Sequence, residues 1–359
     1  MKRKLFKLSV LLIVIVFFCS CGNTKVLRTR EITNKITQTA VITESDIENN
    51  GEYENFFKEF SSDFTIPGLL EGIIPQGICY IEKLDLYAVS GYFKDGELPS
   101  MIMLVDAKTK KFTKAFSLRE VNGNDYYGHA GGLAASDNYV YLTSEETCNI
   151  FSVDGLKSLK NGDTLKFESN FKLNTYGAFA CFNDGILWTG DFIESSDSAR
   201  EDAEKVTTLS SGETFYAYCE GYILNEGLPD VKKINSLKNG YIPDYMLAIP
   251  EQVQGMAFTN SGKIIFTSSY GRRNDSKIYV FDDVLLSERV GTYKIDETQI
   301  DLIACSNDLL KQTITAPPMA EGIARGEKGL FLIFESGAAK YRNHRGKYPT
   351  DTVFKANIE

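Results

Sequence analysis

Apolar residues in this chain fall in short clusters separated by turn-forming groups such as Asp137-Asn138, Asn183-Asp184-Gly185 and Asn260-Ser261-Gly262. The clusters Leu86 to Val89, Val140 to Thr143, Ile186 to Thr189, Ile264 to Thr267 and Leu330 to Phe334 have the length of strands, and each follows such a turn. Short apolar runs punctuated this way predict an all-β protein.

A second pattern precedes these clusters. Five segments align without a gap over about 15 positions: Gln76-Gly77-Ile78-Cys79, Gly131-Gly132-Leu133-Ala134, Gly177-Ala178-Phe179-Ala180, Gln254-Gly255-Met256-Ala257 and Glu321-Gly322-Ile323-Ala324. The second residue is Gly or Ala, the third large and apolar, the fourth Ala or Cys. Small residues suit a backbone crowded near an axis, and the large one suits a wedge between neighbouring units. Repeats of strand, turn and strand predict a β-propeller of four-stranded blades. Five blades are expected, with six as the alternative, because spacings of 55, 46, 77 and 67 residues imply insertions around Glu194 to Ser211 and Glu297 to Leu310. Asp63-Phe64-Thr65-Ile66-Pro67 looks like the blade-closing Tyr245 to Pro250, so an N-terminal strand is expected to complete the last blade.

Three regions follow: 1–20, 21–58 and 59–359. In the first, Lys2, Arg3, Lys4 and Lys7 precede an apolar run from Leu8 to Phe18, the signature of a signal peptide. That run is too short to span a bilayer, which takes about 20 residues. Ser20-Cys21-Gly22-Asn23 is similar to a bacterial lipobox, with Phe18 where that motif prefers Leu; lipidation at Cys21 by palmitate-like chains would hold the domain on the outer face of the cell membrane. The second region is rich in Thr, Asn, Glu and Lys and reads as a polar tether, with a short helix over about 45–60.

Loss of residues 1–20 removes four basic and no acidic residues from 39 Lys+Arg and 48 Asp+Glu, moving the net charge from −9 to −13. No basic stripe is visible, so nucleic acid is not an expected partner. Cysteines 79, 148, 181, 219 and 305 are odd in number and widely spaced without a CxxC pair, which predicts buried free thiols rather than disulfides or a zinc site.

With the repeats in register, one position holds Ser90, Glu145, Asp191, Ser268 and Glu335. Convergence of Glu145, Asp191 and Glu335 at the axis would suit a Ca²⁺-like divalent cation; alternatively each acid accepts backbone amides. At the start of the inner strands, Gln76, Gln254 and Glu321 are candidate binding residues, and His129 is a candidate general acid or base beside a Gly-Gly. Tyr92, Phe192, Tyr270 and Arg272-Arg273 are candidates for the rim of the mouth. His344 reads as a solvated surface residue. There is no Gly-x-Ser-x-Gly, HExxH, phosphate loop or dinucleotide fingerprint, so no catalytic motif is matched and no organic cofactor is expected.

Pro317-Pro318-Met319-Ala320-Glu321-Gly322-Ile323-Ala324-Arg325, with Leu330 to Tyr341, resembles the last blade of exported bacterial β-propeller lipoproteins. Gln254 to Arg272 and His129-Ala130-Gly131-Gly132 resemble the same group. At the level of blade pattern the chain is also similar to the gluconolactonase and senescence-marker propellers and to streptogramin lyases. Neither pattern transfers residue by residue: the lactonase Asn and the lyase His signature have no counterpart here.

The expectation is therefore a membrane-anchored, extracytoplasmic propeller that binds a glycan, peptide or cell-wall fragment at its mouth. The alternative is a metal-assisted hydrolase or lyase using the acidic ring, with His129 as base. A third reading is a scaffold that recruits a protein through the 194–211 insertion.

Overall fold

The computed structural model describes residues 28–47, 51–194, 206–230, 234–235, 240–342 and 346–358. The signal segment, Cys21, His344 and most of the 194–211 insertion lie outside the described residues.

The chain is all-β with a β-propeller arrangement. Four-stranded antiparallel sheets follow one another along the chain, and each leads with one of the repeat segments. The first runs outward from Ile73–Ile81 through Leu86–Phe93 and Met101–Asp106 to Phe112–Arg119. The next leads with Gly132–Ala135, followed by Tyr139–Ser144, Thr147–Ser152 and Ser169–Lys172. Another runs Phe179–Asn183, Ile186–Gly190, Ala217–Asn225 and Tyr245–Ile249, and another Val253–Phe258, Ile264–Ser268, Ser276–Phe281 and Leu310–Ala316. The last is Ala320–Arg325, Leu330–Phe334 and Thr352–Ala356, completed on its outer edge by Phe60–Thr65 from the other end of the chain. Phe60 pairs with Ala356 and Thr65 with Thr352.

The inner strands pack side by side around the axis, and the strand at Ile73–Ile81 meets that at Ala320–Arg325. Here the small residues of the repeat become necessary. A side-chain carbon at Gly132 would lie 2.0 Å from Thr143 Oγ1 and 2.4 Å from the backbone carbonyl carbon of Phe179, and one at Gly255 would lie 2.8 Å from the Glu321 carbonyl oxygen. The large third residues, Ile78, Leu133, Phe179, Met256 and Ile323, are buried in the apolar clusters that fill the spaces between adjacent sheets. Hydroxyls of second strands tie three of these sheets to the next: Ser90 Oγ donates to the Ala130 carbonyl at 2.8 Å, Thr143 Oγ1 to the Phe179 carbonyl at 3.2 Å and Thr267 Oγ1 to the Glu321 carbonyl at 2.7 Å.

Strands from connections between the repeat units join the sheets that precede them. Thr164–Lys166 pairs in parallel with Phe112–Arg119 of the preceding sheet, Gly240 with Lys172, and Thr298–Ala304 with Tyr245–Ile249. Each is a strand on the outer edge of the sheet before it. Exposed edges are templates for unwanted pairing, so the extra strands cover them and link neighbouring sheets.

The polar stretch before the propeller is not a free tether from residue 28 on. A helix at 28–35 buries Thr29 and Thr33, and Ile36 enters an apolar cluster of the first sheet. Gln38 donates to the carbonyls of Thr65 and Lys110 at 2.8 and 2.9 Å and accepts from Phe112 N at 2.7 Å. Asp351 accepts from the amides of Val41 and Ile42. Hydrogen bonds to exposed sheet backbone thus do what the segment's few apolar residues do not. The helix expected over 45–60 is shorter, Glu54–Glu59, and buries Phe56. The five cysteines are free, and all but the half-buried Cys181 are buried.

Candidate ligand site at the axial mouth

Inner strands begin, and their antiparallel second strands end, at the same end of the axis. There they surround a cavity of about 730 Å³. Of the candidates named from the sequence, Gln76, Tyr92, His129, Glu145, Asp191, Phe192, Gln254, Tyr270, Arg272, Glu321 and Glu335 line it, whereas Arg273, Ser90 and Ser268 do not. The first residues of the repeat, including Gly131 and Gly177, line it as well.

The floor is a pair of carboxyl groups. Glu321, 3% exposed, enters from the start of an inner strand and Glu335 from just past the end of that sheet's second strand. The two side chains hydrogen-bond to each other. Gln76 Nε2 donates to Glu335 Oε2 at 2.9 Å, and Gln254 Nε2 to Glu321 Oε1 at 3.3 Å. Burial, then the charge of Glu335 and the bond between them, raises Glu321 well above the usual carboxylate range. Burial pushes Glu335 up to about 7, against the Lys340 charge and the hydrogen bonds from Gln76, Tyr341 and Glu321. Two carboxyls in contact do not readily both ionise, so near neutrality the pair shares a proton carried by Glu321.

Above the floor stands a layer of rings and cations. Lys340 Nζ donates to Tyr92 Oη at 3.2 Å and lies 4.8 Å from the Tyr341 ring centroid, and the Arg272 guanidinium sits 5.1 Å from the same ring. The His129 ring packs on Tyr92 with centroids 4.2 Å apart. Burial and the Lys340 charge lower the His129 pKa, so at neutral pH its imidazole is uncharged. Burial raises Tyr92 to about 12. Tyr176 and Tyr270 are about half exposed at the rim, and Phe192 faces Tyr270 at 6.1 Å.

Glu145, Asp191 and Glu335 share the cavity but not a metal centre. Among the described residues no three His, Cys, Asp or Glu side chains gather as metal ligands. Asp191 instead accepts from Tyr176 N at 2.9 Å and Tyr218 N at 3.3 Å. Glu145 is exposed on a tight turn with Glu146, both at positive φ, and Glu335 is engaged with Glu321. Ser90 and Ser268, at the same repeat position, donate to the Ala130 and Glu251 carbonyls. Side chains at this position serve mainly as local hydrogen-bond partners in this structure.

Several residues of the site carried no legible signal. Lys340 and Tyr341 lie on a short helix, Ala339–Arg342, beyond the repeat frame, where no equivalent exists to align. Asn174, Thr175 and Tyr176 form one wall, held by Glu220: this fully buried carboxylate accepts from both amides and side chains of Asn174 and Thr175 at 2.9 to 3.2 Å. Burial raises the Glu220 pKa, and these hydrogen bonds oppose the rise.

No protein-family model matches the chain, and no curated protein does. Among solved structures it is similar to the glutaminyl cyclase of Myxococcus xanthus, at 10% identity over 84% of this chain and 97% of that one, with a TM-score of 0.43. It is similar to the PQQ-bound aldose sugar dehydrogenase of Streptomyces coelicolor, at 16% identity over 84% and 98%, TM-score 0.43. An oxidoreductase (glucose dehydrogenase) of Thermus thermophilus matches at 12% identity over 82% and 98%, TM-score 0.41. At these values the likeness carries nothing about chemistry.

Proposed function

We propose that this chain is a five-bladed propeller, tethered to the outer face of a membrane through Cys21, that binds a small polar ligand such as a glycan, peptide or cell-wall fragment at its axial mouth. The observation that carries the reading is the concave site itself: a buried, hydrogen-bonded carboxyl pair with two glutamine amides, under a layer of aromatic rings, in one cavity of about 730 Å³. Cavities that recognise polar ligands combine apolar walls with a few convergent polar groups and perturbed titrating residues. The blade count is supported by the ring of inner strands, and the anchoring by the basic and apolar N-terminal segment with Ser20-Cys21.

The experiment is a thermal-shift screen of glycan and peptide libraries against the chain from Gly22 onward, with each hit repeated on Gln254→Ala and Tyr270→Ala. Ligands that raise the melting temperature of the parent and fail on the variants support the reading. Hits that ignore both variants place the ligand site elsewhere and overturn it. Metabolic labelling with a fatty-acid probe, lost in Cys21→Ala, tests the anchor.

A further inference from the structure

The two sides of the cavity carry opposite charge. Its floor is rich in acceptors: Gln76 and Gln254 each donate to a carboxyl of the Glu321–Glu335 pair, whose two side chains hydrogen-bond to each other. Beside it, Lys340 and Arg272 lie on the ring of Tyr341 at 4.8 and 5.1 Å and line the same space. Both cations are held by aromatic faces, and Lys340 also by the Tyr92 hydroxyl. A neutral sugar hydroxyl offers this floor one donor and no charge, whereas an ammonium group offers three donors and a full charge. A ligand carboxylate is the matching partner for the lysine and the arginine.

Resting on the cavity being the ligand site, we propose that its ligand is a small zwitterion of the amino-acid type, with its ammonium group seated on Glu321 and Glu335 and its carboxylate turned to Lys340 and Arg272. Uptake replaces the shared proton: the ammonium enters intact, both carboxyls end as carboxylates, and one proton leaves to solvent. The other titrating groups around the pair are Tyr92, Tyr341 and His129. Farther along the wall stand Asp191, bound to backbone amides, and the exposed Glu145 and Glu146.

Free L- and D-amino acids and dipeptides are screened by thermal shift, and hits are titrated calorimetrically about one pH unit above the titration of Glu335, where only Glu321 keeps its proton, in two buffers of different ionisation enthalpy. The expected result is release of about one proton per ligand, with N-acetyl and C-amide derivatives at least about tenfold weaker, one step of 1.4 kcal/mol in binding. Glu321→Gln, which removes the group that carries the proton, should abolish the proton release. Arg272→Ala, on the half-buried rim where folding is not at stake, should erase the preference for free acid over amide while leaving the release intact. Binding of none of these compounds, equal binding of N-acetyl forms, or binding without proton release overturns the zwitterion. Neutral glycans that bind and are lost in Gln254→Ala would do the same while leaving the cavity as the ligand site.

Discussion

Gln76 and Glu335 stand 259 residues apart, yet the Gln76 amide donates to the Glu335 carboxyl at 2.9 Å. The contact crosses the seam where the first sheet meets the last. The floor of the cavity therefore exists only when the ring is closed, and closure depends on the pairing of Phe60–Thr65 with Thr352–Ala356.

The carboxyl pair makes stability depend on pH. Glu335 binds its proton up to about pH 7 in the folded chain but only near 4.5 when unfolded, so the folded state holds more protons across that window. Stability should fall as pH rises from about 4.5 to above 7. Urea midpoints at pH 5, 6, 7 and 8 should decline in the parent and decline less in Glu335→Gln, with a difference on the order of 1–3 kcal/mol across the window. Parallel curves for the two proteins would show that the pair does not titrate as described.

Crowding at the axis predicts a sharp contrast between two glycines. Gly132→Ala meets the backbone of Phe179 and the Thr143 hydroxyl and should cost more than about 2 kcal/mol. Gly291→Ala, with nothing within 4 Å, should stay within about 0.5 kcal/mol of the parent. Chemical denaturation of both variants settles the comparison.

Asp191 accepts from two backbone amides. Asp191→Ala strands the Tyr176 and Tyr218 amides and should destabilise by about 1–3 kcal/mol equally in EDTA and in Ca²⁺. A melting temperature that rises with Ca²⁺ in the parent and not in this variant would restore the cation reading.

The Glu145-Glu146 turn holds two non-glycine residues at φ of 50° and 58°, a conformation that Asn-Gly adopts with less strain. Replacing the pair with Asn-Gly should stabilise by about 1 kcal/mol. Unchanged or lower stability in thermal melts would mean that contacts of the glutamates outweigh the strain.

Glu220 positions the wall at Asn174–Tyr176. Glu220→Gln turns an amide group toward donors that now point at a carboxylate, and should speed hydrogen exchange at Asn174 and Thr175 well beyond its effect on the rest of the chain. A uniform increase across the protein would make Glu220 a general stability residue instead.

The alternation of short apolar runs and turns, and the small–large–small signature of Gly77-Ile78-Cys79 and its counterparts, already carried the all-β architecture and the residues that converge on one mouth. That is so because strand period, turn chemistry and backbone crowding are local properties repeated in each unit. Only the tertiary structure decided what each acid does. Asp191 and Glu335 occupy the same repeat position, yet one meets backbone amides and the other meets Glu321, because their neighbours come from segments far away in the chain. The same holds for the insertions, whose strands pair with the sheet before them, and for residues 28–47, whose polar side chains find partners on the propeller surface. Side-chain direction and long-range pairing depend on closing the ring, and no local pattern records that.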